Sequence, residues 1–112
     1  MLYSIVQNQK EEIVQKKTLS AKAIGVAKRR MTVLERKMAN LGPVMRGNVV
    51  TNGRKHPQAY FSLNKDGKTH LIYLGEGRLP KAAKLSANYR KMIEITEEMT
   101  VINMALLKND AL

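Results

Sequence analysis

The segment 59–74, AYFSLNKDGKTHLIYL, constrains the fold more than any other part of this 112-residue chain. Two runs of β-forming residues flank Asp66-Gly67, a dipeptide typical of the two-residue type I′ turn, in which both central residues need φ > 0. A turn of this kind sets the register of the whole hairpin. The predicted cross-strand pairs are Tyr60 with Tyr73, Phe61 with Ile72, Ser62 with Leu71, Leu63 with His70, Asn64 with Thr69 and Lys65 with Lys68.

Side chains alternate between the two faces of a strand, so the predicted hairpin has two chemically different sides. The side expected to face the core collects Ala59, Phe61, Leu63, His70, Ile72 and Leu74. The other side is polar and aromatic, has lysines at its tip, and collects Tyr60, Ser62, Asn64, Thr69, Leu71 and Tyr73. In a basic chain, this second side is a candidate surface for nucleic acid.

The charge balance indicates an anionic partner. The chain has 20 Lys and Arg against 9 Asp and Glu, a formal net charge of +11, which raises its concentration near polyanions whatever the fold. The absence of cysteine excludes disulfides and thiolate metal sites. No apolar run approaches the roughly 18–20 residues of a membrane span, and the first residues lack a signal-peptide pattern. We therefore expect a cytoplasmic protein with no membrane partner.

Residues 8–41 contain no proline and are predicted to form a helix that stops at Gly42-Pro43. Its apolar periodicity is lost upstream of residue 21. The helix should therefore break or bend near Thr18 to Ser20, and either of these two residues could cap a new start.

The predicted helix has an apolar seam and a basic stripe on its far side. The stripe includes Arg29 and Arg36 and is either a solvated face or a phosphate-contacting surface. A second helix is predicted over residues 80–108, with Pro80 in its first turn. We expect the two Met-rich seams to pack on each other as an antiparallel pair or across a homodimer axis. The seams are Ile24, Ala27, Met31, Leu34, Met38 and Leu41, and Leu85, Met92, Ile95, Met99, Ile102 and Leu106.

A short strand is predicted over residues 44–50, with Arg46 and Asn48 on one side. The next loop, TNGRKHPQ, presents Arg54 and Lys55 just before the hairpin. With the hairpin, this strand completes a three-stranded antiparallel sheet. The sequence thus predicts a single α+β domain with a basic helical region (1–41), a sheet (44–74) and a closing helix (80–108).

Residues suited to catalysis are few. The chain has two histidines and no cysteine, and it lacks the HExxH, H-x-E, GxSxG and P-loop patterns. His70 is expected on the core side of the hairpin, and His56 alone cannot hold a metal ion, which usually needs three or four ligands. We expect no enzymatic activity, no cofactor and no metal.

Nucleic-acid binding is the function that the charge and the sheet together favour. A two-stranded ribbon is one of the few elements that fit the major groove of DNA. Tyr60 and Tyr73 could instead stack on unpaired bases, or simply pack on each other across the strands. The candidate contact residues are Arg46, Asn48, Arg54, Lys55, Tyr60, Asn64, Lys65 and Lys68, with Arg29 and Arg36 as an alternative helical surface.

Three segments carry a resemblance to a known family: LGPVMRGNVV (41–50), YFSLNKDGKTHLIYL (60–74) and NYRKMIEITEEM (88–99). The chain resembles a family of small uncharacterised proteins of prokaryotic genomes and mobile elements, with the pattern LGPVxRG, then YYLS and GKT, then NYR. The resemblance implies a helix, a hairpin and a long closing helix, but no settled activity. Members carry a cysteine-containing insert where this chain has TNGRKHPQ, so a cysteine-dependent role does not transfer.

Two analogies concern architecture. A small sheet followed by a helix is similar to the arm-binding domains of phage integrases, which place a three-stranded sheet in the major groove; this likeness is one of fold alone. Residues 16–42 also resemble a winged helix-turn-helix, with Gly25 in the turn and the hairpin as the wing. Against this alternative, the first helix would be too short and the apolar seam continues through Ala27.

The leading hypothesis is therefore a non-catalytic protein that binds double-stranded DNA, or RNA, through a basic loop and a sheet face. The alternative is a protein-interaction module of a phage or mobile element, for example an inhibitor that docks onto a nucleoprotein enzyme. Co-purification of nucleic acid that high salt removes would favour the first hypothesis.

Overall fold

The structure is a computed structural model that describes residues 12, 13 and 18–112. Three strands form one antiparallel sheet in the order in which they follow along the chain, so the predicted α+β class is confirmed. In chain order, the elements are helix α1 (Ala21–Ala39), strand β1 (Asn48–Asn52), strand β2 (Gln58–Lys65), strand β3 (Lys68–Tyr73) and helix α2 (Gly75–Lys108).

Helix α1 begins where a side chain caps it. Ser20 has an extended backbone, and its hydroxyl accepts a hydrogen bond from the Ala23 N–H at 3.1 Å. Residues 18–20 are not helical, which confirms the predicted break. The helix predicted upstream of this break lies outside the described residues, apart from residues 12 and 13, which are not helical. Helix α1 continues through Gly25 without a turn, so the helix-turn-helix interpretation is wrong.

The hairpin has the register that the sequence predicts. Tyr60 pairs with Tyr73 and Lys65 pairs with Lys68, with every pair between them as expected. Asp66 and Gly67 have φ values of 56° and 74°, as a type I′ turn requires. The local turn chemistry therefore accounts for the register of β2 against β3.

Strand β1 begins later than predicted. The expected strand was 44–50, but β1 spans Asn48–Asn52, and Arg46 lies in the segment before it. That segment bonds to α2 instead of to the sheet: the Met45 N–H donates to the Leu85 carbonyl at 3.2 Å. Backbone groups used in this way cannot join the ladder with β2, so the strand starts only after residue 47.

Helix α2 begins earlier than predicted. Its first residue is Gly75, and Pro80 lies inside the helix instead of in its first turn. Gly75 has a φ of 58°, which turns the chain directly from β3 into the helix, and the Arg78 N–H bonds to the Leu74 carbonyl at 3.3 Å. Proline lacks an N–H, but the helix tolerates this one lost bond near its start.

Helix α2 covers only two of the three strands. It packs on β1 and β2, and it makes no comparable contact with β3. Phe61 is therefore buried, with 2% of its surface exposed, whereas its cross-strand partner Ile72 is 42% exposed and His70 is exposed as well. The expectation that Ile72 and His70 belong to the core is wrong, because α2 borders β3 only at its edge, where Ile72 lines a shallow groove with Lys81 and Ala82, and leaves both side chains exposed. The buried cluster consists of Phe61, Leu74 and Ala82.

The two helices form an antiparallel pair within the chain. The Leu19 N–H donates to Asn109 Oδ1 at 3.2 Å, and Arg30 pairs with Glu98 farther along, so α1 runs against the C-terminal half of α2. The sheet packs on the N-terminal half. Helix α2 has 34 residues and is about 51 Å long. The Cα radius of gyration is 20.3 Å, against about 13 Å for a compact chain of this length.

The interior of the helix pair contains Leu34, Ile95 and Leu106 as buried residues. All three belong to the predicted seams, so the antiparallel packing of those seams is confirmed. Neither α1 nor α2 has a stretch apolar enough to span a lipid bilayer.

Candidate nucleic-acid interface

Helix α2 packs on the Phe61 side of the sheet, and no described element packs on the other face. Because directly paired residues point to the same side of a sheet, the registers of both strand pairs define this open face. No carboxylate belongs to it. A surface rich in amides and hydroxyls, free of acidic groups, suits contact with a polyanion. The open face consists of Asn48, Val50, Asn52, Gln58, Tyr60, Ser62, Asn64, Thr69, Leu71 and Tyr73.

Side-chain contacts between β2 and β3 order the open face. The rings of Tyr60 and Tyr73 meet edge to face, with centroids 5.6 Å apart. The Tyr73 hydroxyl donates to Gln58 Oε1 at 3.1 Å, and the Thr69 hydroxyl donates to Asn64 Oδ1 at 2.8 Å. Tyr60 is half-buried, so the pair has a packing role as well as an exposed ring edge.

Arg54 and Lys55 lie at one end of the open face, in the loop between β1 and β2. Both are exposed, and neither forms an ion pair with a described residue. The Gly53 N–H bonds to Asn52 Oδ1 at 3.1 Å, which closes the start of the loop. The structure confirms that this pair is accessible and sits beside the sheet.

A groove with a volume of about 480 Å³ lies at the opposite end of β1. Arg46 and Asn48 line it from the start of β1, and Asn64 lines it from β2. An NH1 hydrogen of Arg46 bonds to the Asn64 carbonyl, which ties the arginine to the end of β2. Asn64 is thus brought together with Arg46 and Asn48, which the sequence predicts on one side of a single strand.

Helix α2 supplies the other wall of this groove through Tyr89 and Arg90. Arg90 NH1 donates to Ser86 Oγ at 2.8 Å and reaches Asn48 Oδ1 at 3.5 Å. Ser86 is 2% exposed, and its hydroxyl donates to the Gly47 carbonyl at 2.7 Å. A chain of hydrogen bonds therefore joins the segment before β1 to the arginine of α2.

Gly47 allows this close approach. Its φ is 136°, and a Cβ atom at this position would lie 2.6 Å from Phe61 Cε1 and 2.7 Å from the Ser62 carbonyl oxygen. Only a residue without a side chain fits against β2 at this point. Asn88 holds the same segment from the other side, because its Nδ2 donates to the Pro43 carbonyl at 2.8 Å.

Two other predicted contact pairs lie elsewhere. Lys65 and Lys68 pair with each other on the Leu63 side of the hairpin. The expectation that these lysines belong to the tip of the open face is therefore wrong. They extend from the hairpin tip, where Lys65 lies 3.9 Å from Asp66 in an exposed ion pair. Arg29 and Arg36 are exposed on α1, and α1 makes no contact with the sheet.

The Arg30 and Glu98 side chains form the ion pair that links α1 to α2. Two N–H groups of Arg30 bond to the two carboxylate oxygens, with N to O distances of 2.5 and 2.9 Å. The hydrogen bond from Arg30 lowers the pKa of Glu98 below its ordinary value, and its attraction and that of Lys37 act in the same direction. The pKa of Arg30 is raised by the same hydrogen bond.

Sequence reasoning missed Tyr89, Arg90 and Ser86 as members of the site. The available signal was that NYR and LGPVMRG belong to two of the three segments in the family resemblance. Nothing in the local sequence indicates that they meet, because Asn48 and Arg90 are 42 residues apart in the chain. The contact between them follows from the way α2 returns across β1.

Within the described part of the chain, no three His, Cys, Asp or Glu side chains cluster so that they could hold a metal ion. The chain matches no protein-family model, no curated protein and no solved structure. The resemblance to the mobile-element family and the likeness to integrase arm-binding domains stay predictions.

Proposed function

We propose that the chain is a non-catalytic, cytoplasmic protein that binds double-stranded DNA with the open face of its sheet. The observation that carries this proposal is the face itself: no element of the described chain covers it, it is polar and aromatic and free of carboxylates, and it has arginines or lysines at both ends of its strands. Arg54 and Lys55 stand at one end, and Arg46 and Arg90 at the other.

The spacing of these two cationic ends supports a duplex partner. Gln58 and Asn64 mark the ends of the face on β2, and a strand of this length spans about 20 Å. The major groove is about 12 Å wide, with a phosphate backbone along each side. A sheet placed in it would present its amides and hydroxyls to the base edges while each cationic end contacts one backbone.

The tyrosine pair favours a duplex over a single strand. Binding of unpaired bases relies on aromatic rings that stand free for stacking. Here each ring of the pair already packs against the other, and the Tyr73 hydroxyl is held by Gln58. RNA duplexes fit less well than DNA, because their major groove is too deep and narrow for side chains to read.

Fluorescence anisotropy with a labelled DNA duplex tests the proposal. Affinity should fall with salt, with a log–log slope of roughly −0.9 for each phosphate neutralised. A single strand of the same sequence and an RNA duplex serve as comparison ligands and should bind more weakly. No binding at low salt, or a slope near zero, would refute DNA binding.

A second candidate function, a protein-interaction module, is favoured by the side of α2 that faces away from α1. Val101, Met104 and Leu107 are exposed there by 61%, 50% and 65%. Apolar residues of an amphipathic helix usually face the interior of the protein, so an exposed apolar side needs a partner. A second copy of this chain would cover these residues and form a homodimer, through a surface other than the predicted Met-rich seams, which light scattering detects. Replacing Met104 and Leu107 by Glu should then yield a monomer.

A further inference from the structure

Two arginines share the groove beside β1, and no carboxylate of the described residues pairs with either of them. Arg46 and Arg90 both line it and are both exposed. Among the described residues, the ion pairs are Arg30 with Glu98 and Lys65 with Asp66, so neither groove arginine is neutralised by a carboxylate. Two like charges in one groove repel each other, and an anion between them removes this repulsion.

Both guanidinium groups have N–H donors that are not bonded to other described residues. A guanidinium has five N–H donors in a planar fork. The hydrogen bonds of Arg46 and Arg90 to other described residues all start from NH1. Arginine forks match the oxygen atoms of a phosphate group, to which they can donate two parallel hydrogen bonds.

Hydrogen bonds within the protein position both arginines of the groove. Buried Ser86 accepts from Arg90 and donates to the Gly47 carbonyl, which positions the guanidinium against the segment before β1. Arg46 is held by the Asn64 carbonyl. Side chains that are already positioned lose less conformational entropy when they bind a ligand.

We infer that this groove is a binding site for one phosphate group, held between Arg46 and Arg90. Its volume of about 480 Å³ is within the range of small-ligand sites, so it admits a phosphate together with the sugar attached to it. Asn48, Asn64 and Tyr89 also line the groove and offer polar contacts to that sugar. The inference rests on the proposed function for the polymer that carries the phosphate; a free phosphate ion has the same chemistry.

The double variant R46Q/R90Q tests the site on a DNA duplex. If both arginines hold the same phosphate, the log–log salt slope should become less negative by about 0.9 in total. A change of about 1.8 would mean two separate phosphates, and an unchanged slope would mean none; either result overturns the inference. The control K81Q/K84Q removes two exposed charges of α2 outside the groove and should keep the wild-type slope. If the salt slope of the control became less negative by the same amount, the inference would also be overturned.

A second measurement uses inorganic phosphate and no nucleic acid. Amide NMR signals of Gly47 and Asn48 should shift with phosphate, at constant ionic strength, in the wild type and not in R46Q/R90Q. This result would show that the site accepts free phosphate. Shifts that persist in the variant would overturn the inference. If phosphate alone causes no shift, the duplex slope decides, and a slope change of about 0.9 assigns the site to a backbone phosphate.

Failure of the proposed function is distinguishable from failure of this inference. A wild-type protein that binds no duplex refutes DNA binding, and the phosphate titration then decides the groove by itself. A wild-type protein that binds duplex while R46Q/R90Q behaves identically refutes only the groove. The spectrum of the variant also reports whether it is folded, which we expect because both arginines are exposed.

Discussion

Gly47 and Phe61 are in such close contact that a Cβ atom on Gly47 would lie 2.6 Å from Cε1 of the ring. The ring is the largest fully buried side chain of the sheet, so it cannot move aside. Gly47→Ala should therefore cost about 2–6 kcal/mol, of which about 1–3 is backbone strain at positive φ and about 1–3 is overpacking. Urea unfolding measures the loss.

Gly67→Ala is the matched control for that substitution. Gly67 also has a positive φ, of 74°, but it lies at the hairpin tip, where a Cβ atom would have no other atom within 4 Å. This variant should lose only the strain of about 1–2 kcal/mol. If both variants lost the same free energy of unfolding, the close contact between residue 47 and Phe61 would not contribute to stability.

Phe61 and Ile72 face each other across the hairpin but should differ in their contribution to stability. Phe61→Ala removes a buried ring and should cost about 3–5 kcal/mol of unfolding free energy. Ile72→Ala should cost only about 1–2 kcal/mol, because the side chain is 42% exposed. A comparable cost at both positions would indicate that something covers β3 in solution, for example a second copy of the chain.

Features that depend on residues close together in the sequence could be predicted, and features that depend on the packing of distant segments could not. The register of β2 against β3 depends on Asp66-Gly67 and on alternation, both of which are local, so it could be predicted. The exposure of Ile72 could not, because it depends on how far α2 reaches across the sheet. The same holds for the groove: Arg46 is visible as a cation in the sequence, but its proximity to Arg90 requires the packing of two distant segments.

Arg54 and Lys55 should contribute to DNA binding but not to stability. Replacing both by Ala should change the unfolding free energy by no more than about 0.5 kcal/mol, because both side chains are exposed. The salt slope on a duplex should become less negative by roughly 1.8, the value for two phosphate contacts. Anisotropy at several salt concentrations measures this change.

Arg29 and Arg36 are the matched control for the loop pair. They have the same combined charge, but they lie on α1, which does not contact the sheet. The double Ala variant of this pair should bind a duplex with the wild-type slope. If instead the helix variant loses binding and the loop variant keeps it, then α1 is the DNA-contacting surface and the sheet is not.

The Arg30 and Glu98 pair should make the stability of the helix pair depend on pH. Its hydrogen bond lowers the pKa of Glu98 in the folded state, so near pH 4 the unfolded chain binds more protons than the folded one. The stabilisation is therefore present above about pH 4.3, the ordinary value for Glu, and is lost as the pH falls through the lower folded-state pKa. Glu98→Gln should lower the melting temperature at neutral pH, and the difference from wild type should shrink in acid.

Glu97→Gln is the control, because Glu97 forms no ion pair with a described residue, and its effect on the melting temperature should stay small at every pH. A Glu98→Gln effect that does not change between neutral and acidic pH would show that the pair contributes through packing alone.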